Sequence, residues 1–585
     1  MKNLTRAVLL VSFLIPAAAR AAVTISPMYA QVVAGQVLQF TGPAGVTWQV
    51  NNANGGAAAT GTISKTGLFT APASLPKPAI ATITAVSKTD PSQAATATVT
   101  LLAHAPSGQT YYVATTGNDS GDGSSGAPWR TIQHAQSKAA AGDTVLVHGG
   151  VYNEHVNFSA SGTADGYITF MSAPGEVAAV DGTGLDIPEH MWGLFTFSNA
   201  SYVIVQGFEI RNYTTASVKD VPIGIFVTGA GGGVQMVNNY VHDITTTAAT
   251  TPKKCSSNAF GITVYGTGAP DAIDGLAVSG NEVAHLRTGC SETLSLDGNV
   301  TNFAVVGNLV HDDDNIAIGA IGFERVSHDP TYDQARDGVI RGNNVYNITS
   351  FGNPDYGNQY AADGIYVDGG TNIVIEQNRI HNVDLGIELA SEHKTRVSSF
   401  VIARNNIIYN GNSAGISIGG YAASKGGTDH CTVVNNTLYG NDTQQTGSGE
   451  FQIQFNATNN VFENNILYAG PQNLLVNDFT TSTPEPAMLD YNLYYAAAGA
   501  GSAKFTWQKH RYTSYSSYLT GTGLDADSPP FSDPQFIDTT NLKVKASSPA
   551  VNAGTNLGAP VDGLHDFAGA KRVIGSDIDI GAYEQ

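Results

Sequence analysis

The fold this sequence predicts is all-β: a right-handed parallel β-helix preceded by a small β-sandwich. Three observations predict it. Two apolar strand units alternate in strict order along most of the chain. Period-2 runs rich in Val and Ile dominate, and good helical runs are scarce. Gly is abundant, at 65 of 585 residues, and only 13% of residues are charged, a balance for a turn-rich β chain rather than a coiled coil or a disordered one.

The first unit is an apolar strand with Asn, one residue, then Val, Ile or Leu. Its asparagines are read as Asn239, Asn281, Asn308, Asn343, Asn378, Asn405, Asn436 and Asn464. The second unit appears as Gly224-Ile225-Phe226-Val227, Gly261-Ile262-Thr263-Val264, Thr293-Leu294-Ser295-Leu296 and Asn315-Ile316-Ala317-Ile318. It continues as Gly364-Ile365-Tyr366-Val367, Gly386-Ile387-Glu388-Leu389 and Gly415-Ile416-Ser417-Ile418. A single coil cannot bury its apolar face, so coils must stack into a solenoid. Stacked asparagines then satisfy one another and the open backbone of a turn. His242, His311 and His381 share one register with Tyr346 and Tyr439, which predicts a structural aromatic stack.

Around this solenoid lie distinct ends. Lys2 and Arg6, an apolar run over 7–19 and Ala19-Arg20-Ala21 form a signal peptide over 1–21. Residues 23–103 alternate short β runs, such as Val46-Thr47-Trp48-Gln49-Val50, with Gly, Asn and Pro turns, the pattern of a small sandwich. This segment resembles the bacterial Ig-like domains, which implies a spacer or binding module. After a linker at 105–108, Ile132, Ala135, Ala139 and Ala140 fall at helical spacing and predict a helix capping the open solenoid. The β-helix is placed at 108–480, and 481–585 is read as last coils and a closing cap.

The net charge of −20 excludes a general affinity for nucleic acid or anionic membrane. No segment beyond the signal is apolar enough to span a bilayer. Secretion to the cell exterior or periplasm, as a monomer, is expected. Cys255 and Cys290 fall in loops before adjacent strands and can pair in an oxidising compartment; Cys431 is left over.

Stacking turns sequence registers into spatial columns. Before the Gly-Ile-x-Val strand the expected column is Glu292, Asp314 and Asp363. After it come Asp297, Gly319 and Asp368, and in its middle Ser295, Ala317, Tyr366 and Glu388. Rungs are about 5 Å apart, so such carboxylates repel unless a cation sits between them. Calcium, which takes six to eight oxygens, is the expected ion, on Glu292, Asp297, Asp314 and Asp363. Asp312 and Asp313 are read as turn caps. Asp368 and Glu388 fall on adjacent coils about two residues out of step, roughly 8 Å apart, the range of an inverting glycosidase pair. His393 and Lys394 follow closely as base candidates. Arg325, Arg336, Tyr366 and Arg396 are expected to contact substrate. The insertions 319–337 (with Glu324 and His328) and 349–362 (with Tyr356 and Tyr360) can wall a groove.

Over roughly 108–480 the chain resembles the pectate-lyase superfamily. Asp363-Gly364-Ile365-Tyr366-Val367-Asp368, followed a coil later by Gly386-Ile387-Glu388-Leu389, is similar to the core of family-nine pectate lyases. The resemblance implies calcium-binding acids on one coil and a lysine base on the next, where this chain has Glu388. Two enzymes therefore stay open. The leading expectation is a polysaccharide lyase that removes a uronate α-proton through Lys394 or His393, with calcium neutralising the substrate carboxylate. The other is a hydrolase using Asp368 and Glu388, with Asp363 tuning one of them. A non-catalytic glycan-binding surface protein is the third expectation.

Overall fold

The computed structural model describes residues 23–90, 93–251 and 254–585. The expected signal peptide lies outside the described residues. From Thr110–Val113 to Lys504–Trp507 the chain winds as a right-handed parallel β-helix whose coils contribute strands to three long sheets. One full coil reads Arg336–Arg341 in sheet 1, Asn344–Ile348 in sheet 2 and Asp363–Asp368 in sheet 3. The next reads Thr371–Glu376, Arg379–Val383 and Leu385–Ala390. Inward residues of all three sheets form one continuous apolar core, exemplified by Ile340, Val345, Ile365 and Val367. The helix Ile132–Lys138, capped by Thr131, covers one end with Ile132 and Ala135. Tyr518 and Tyr515 of the helix Tyr515–Thr522 pack on Phe505 at the other.

The glycines of the second unit have a steric cause. The chain turns a corner there, so Gly364 and Ile365 both face inward, and a Cβ at Gly364 would sit 2.6 Å from Ile380 Cγ2. That double inward step leaves Asp363 facing out.

The asparagine ladder forms, with one correction. Each side-chain oxygen accepts the backbone N–H and the amide of the preceding rung, as Asn343 does from Asn308 at 2.9 and 3.0 Å. The rungs after Asn378 are Asn406, Asn436, Asn465 and Asn492, not Asn405 and Asn464. At Asn405-Asn406 and Asn464-Asn465 the first Asn takes a positive φ and turns outward. The doublets precede Ile407-Ile408 and Ile466-Leu467, so an apolar residue two places on marks either Asn equally well. The aromatic stack forms from His311 onward, where His311, Tyr346, His381 and Tyr409 lie ring on ring at 4.8, 5.3 and 4.7 Å; His242 is outside it, separated by the Ala284 rung and stacked on Tyr240 at 4.1 Å.

Residues 23–102 form two sheets around a shared core that includes Phe40, Trp48, Phe69 and Val99. They lie along sheet 1 of the solenoid, with Ile80 packed on Ala277, Ala304 and Val306, and Thr98 bonded to Ser279 at 2.6 Å. Beyond the helix Tyr515–Thr522, which covers the end, residues 535–585 form a segment that does not close the solenoid. It runs back along the corner before sheet 2, where the amides of Asn405 and Asn464 donate to Asp562 O and Thr555 O. It meets the N-terminal sheets where Asn54 N donates to Gly569 O at 2.8 Å. Cys255 and Cys290 are disulfide-bonded, and Cys431 is buried and free. No helix among the described residues is long and apolar enough to cross a membrane.

Candidate active site

The outer face of sheet 3 carries the acids, in a register that differs from expectation by one step of two residues. Leu294 pairs with Ile318 and Ile318 with Ile365. The coil between Glu292 and Asp363 therefore offers Ile316 at that column, not Asp314. Ser295, Gly319, Tyr366 and Glu388 succeed one another in the middle column, and Asp297 is followed by Ile321. Apolar alternation over 316–321 fits both registers, because a slip of two residues keeps every side chain on its own face. Asp314 instead turns to the disulfide loop and accepts from Thr288 N at 2.7 Å; burial pushes its carboxyl up to about 6.

The corrected register leaves a compact acidic site. Gly319 has no side chain, and a Cβ there would come within 3.2 Å of Glu292 Cγ, so Glu292 leans across the middle rung. Tyr366 packs on Ile316 and Ala390 and forms the floor. Asp363, Asp368 and Glu388 surround it, and Glu392 joins them from the loop after Ala390. On the other side of the middle rung Asp297 feels Glu292 and Glu324. Burial, then mutual repulsion, holds Asp297, Asp363 and Asp368 well above the ordinary carboxylate range. The same causes push Glu292 up to about 7. Glu388 is also pushed up to about 7 by burial, but Gln454 Nε2 donates to its carboxylate and favours the ionised form. Asp297 Oδ1 and Asp363 Oδ1 are buried with no hydrogen-bond partner among the described residues.

Loops wall both ends of these strands. The loop 349–362 is tied down by Asp384, which accepts from Ser350 N, Ala361 N and Ala362 N at 2.8, 3.0 and 3.1 Å. It brings Tyr356 beside Glu292, Asp363 and Glu392, and burial first, then these charges, pushes that phenol up to about 12. Asp355 of the same loop accepts from Ser256 N at 3.0 Å, next to the disulfide. Asp384→Ala should therefore loosen this wall without unravelling the coils. The expected outcome is new proteolytic cleavage within 349–362, with the thermal midpoint lowered by only a few degrees. Limited proteolysis and a thermal melt check it.

On the opposite wall His393 Nε2 meets Glu324 Oε1 at 3.0 Å, and Arg396 lies over Phe323 at 4.9 Å. Lys425 reaches Glu392 at 3.7 Å and covers Tyr421. Lys394 is exposed in the turn between these residues, and no hydrogen bond or ion pair joins it to the carboxylates among the described residues. Arg325 is exposed on the 322–335 loop, its backbone N bonded to Asp333. Arg336 lies in sheet 1, its guanidinium bonded to Asn299 Oδ1 and Gln334 O, away from the acids.

The set expected for calcium is thus divided: Asp314 serves a turn, and the Ile316 rung separates Glu292 from Asp363. A different group converges. Ligand atoms of Glu324, Asp368 and His393 all lie within 4.8 Å of one another. An imidazole in that set suits an ion that accepts nitrogen better than it suits calcium. Glu324 is visible in sequence only as an insertion residue and Glu392 only as the neighbour of His393, and no sequence signal marks Lys425 or Gln454, which come from one and two coils further on.

A family model described as Pel9A-like, right handed beta helix region, matches residues 111–265. The Bacillus subtilis (strain 168) "Uncharacterized protein YwoF" is 36% identical over 447 residues, covering 76% of this chain and 92% of that protein. Among solved structures, pectate lyase Pel9A is similar over 82% of this chain and 96% of its own, at 17% identity and a TM-score of 0.45. The GH136 lacto-N-biosidase from Eubacterium ramulus is similar over 67% of this chain and 64% of its own, at 13% identity and a TM-score of 0.41.

Proposed function

The chain belongs to the family of YwoF, with a pectate-lyase-like right-handed β-helix, and we propose that it is a secreted enzyme that hydrolyses an extracellular polysaccharide on the outer face of sheet 3. One observation carries this reading. Asp368 and Glu388 stand on the same face of adjacent rungs, Asp368 opposite Ala390, two residues beyond Glu388. At that offset the two side chains start roughly 8 Å apart, room for a sugar bond and a water.

Their environments divide the work. Asp368 keeps its proton, because it is buried and faces Glu392, Glu324 and Asp297. It is the general acid that protonates the leaving oxygen. Glu388 ionises first, aided by the Gln454 amide, and is the base that draws a proton from water. Asp363, beside Glu388, is pushed up by burial and by the Glu388 charge, so it stays neutral when Glu388 ionises. Tyr366 supports the sugar between them. The disulfide and the predicted signal peptide both support an oxidising, extracellular destination.

Activity should therefore rise with pH through about 7 as Glu388 ionises. Gln454→Leu removes a donor that favours the ionised form, so this rise should move to higher pH while the maximal rate falls little. A pH profile of kcat/KM for both proteins checks it; an unmoved profile removes Glu388 from the base role. Stability should run the other way. Glu292 and Glu388 are raised from 4.5 to about 7 in the folded protein. Between those values the native state holds protons that the unfolded chain releases, so the stabilisation is complete below 4.5 and is lost as pH rises through about 7.

A second reading, β-elimination on a uronate chain, is favoured by the convergence of Glu324, Asp368 and His393. A metal ion bound there would supply positive charge against a substrate carboxylate. His393 is then a ligand, which leaves Lys394 as the remaining base from the sequence reading. Incubation with acidic and neutral polysaccharides, with and without chelator, separates the readings. New reducing ends without an ultraviolet-absorbing product support hydrolysis. An unsaturated product lost with chelator supports elimination. Binding without cleavage of any glycan leaves the non-catalytic reading.

A further inference from the structure

The face that carries the acids continues past them. In register, Glu388 pairs with Ser417, Ser417 with Gln452, Gln452 with Asn477 and Asn477 with Thr506. This is a column of four uncharged polar rungs, about 19 Å long at the usual strand spacing, in which Gln452 and Thr506 are part-exposed while Ser417 lies beneath Gln454 and Asn477 is bonded to Gly447 O. It ends in a concavity of about 670 Å³ with a different chemistry. Lys504, Lys509 and Arg511 line it together with Asn477, Phe479 and Tyr512, and no Asp or Glu is among its lining residues.

The fold brings these cations together. Phe505 points into the core, so Lys504 and Thr506 point out. The hairpin that follows pairs Thr506 with Arg511, and directly opposite residues of a pair share a face. Lys509 sits in the turn, which Asp478 holds from beneath by accepting Gln508 N at 3.0 Å. Among the described residues none of the three cations has an ion pair or a side-chain hydrogen bond. In a chain of net charge −20, three exposed, unpaired cations around one concavity form a local reversal of sign.

We propose that this concavity is a binding subsite for the anionic groups, carboxylate or sulfate, of an acidic glycan whose chain lies along the same face to the acid cluster. The inference rests on the catalytic reading above and names its substrate class. The acid cluster repels a polyanion, and the cationic end of the column attracts it, so the chain is held some distance from the bond that is cleaved. Phe479 and Tyr512 offer apolar and ring surface for sugar faces beside the charges. The subsite thus favours long acidic chains over short or neutral ones.

The test uses the full protein carrying Glu388→Gln, so that glycans are bound and not consumed. It is compared with the same protein also carrying Lys504→Ala, Lys509→Ala and Arg511→Ala. Titrations at low salt use de-esterified polygalacturonate, fully methyl-esterified pectin, dextran sulfate and unmodified dextran. The expected result is at least a tenfold weaker affinity of the triple variant for one of the two anionic glycans. Its affinity for the uncharged glycans and its thermal midpoint should be unchanged. The polygalacturonate and dextran sulfate arms decide between carboxylate and sulfate. Equal binding of anionic glycan by both proteins, equal binding of charged and uncharged chains, or no binding of either anionic glycan overturns the subsite. In the background with native Glu388, the triple variant should raise KM for long chains and leave kcat on short ones unchanged. A tenfold loss of binding beside undiminished turnover of the Glu388→Gln protein would sink the catalytic reading and keep the subsite; the opposite pair of results would do the reverse.

Discussion

Glu388→Gln should lower turnover about 10²–10⁴-fold, the usual contribution of a positioned general base, with KM little changed. The substitution is nearly isosteric, so the Tyr366 floor and the coil stack should persist. A thermal midpoint above pH 7 equal to or higher than that of the parent would confirm that only a charge was lost, because a neutral amide no longer repels Asp363 and Glu392. Asp368→Asn should be as damaging on substrates with poor leaving groups and less so on activated ones, since a good leaving group needs no proton. Undiminished cleavage by Glu388→Gln on a substrate the parent hydrolyses would take the base away from this position and return attention to His393 and the wall it shares with Glu324.

The second large effect concerns stability. Asn343→Ala should cost about 3–4 kcal/mol, because it strands groups on both neighbouring rungs. Asn343 accepts Asn308 N at 2.9 Å and the Asn308 amide at 3.0 Å, and donates to Val305 O and Asn378 Oδ1 at 3.0 Å each. All these groups are buried with no route to water. The Asn405-Asn406 doublet supplies an internal control. Asn406→Ala should resemble Asn343→Ala, since it breaks the ladder between Asn378 and Asn436. Asn405→Gly, which tolerates the positive φ of that position, removes only amide bonds to the C-terminal strap, at Asp562 O and His565 O, and should cost about 1 kcal/mol. Chemical denaturation of the three variants checks the order; equal losses at 405 and 406 would mean the ladder register is wrong.

Legibility from sequence followed periodicity. The asparagines at 239, 281, 308, 343, 378 and 436 each stand two places before an aliphatic residue that no neighbouring Asn shares, and all six fall on the ladder. Where two apolar residues followed an Asn-Asn doublet, the reading moved one place. The Gly-Ile-x-Val strands were aligned correctly wherever glycine marked the corner. Thr293 aligned through Leu294-Ser295-Leu296, but the coil with Ala317 had two equivalent alternations, and Asp314 was drawn into the acid column in place of Ile316. Of the acid pair, Asp368 and Glu388 were legible because both sit next to unambiguous inward residues, Val367 and Leu389. Lys425 and Gln454 were not, because each reaches the site from a loop whose path no strand pattern dictates.

By itself, the sequence determined the solenoid, its asparagine ladder, its aromatic stack and the strands that carry Asp363, Asp368 and Glu388, since all of these repeat with the period of a strand or a coil. Only the tertiary structure decided which acids meet, which carboxylate a neighbouring amide helps to ionise, and where the cations Lys504, Lys509 and Arg511 gather. The physical reason is that inward burial repeats on every rung and so leaves a pattern along the chain. Contacts between loops of different coils form once each and leave none.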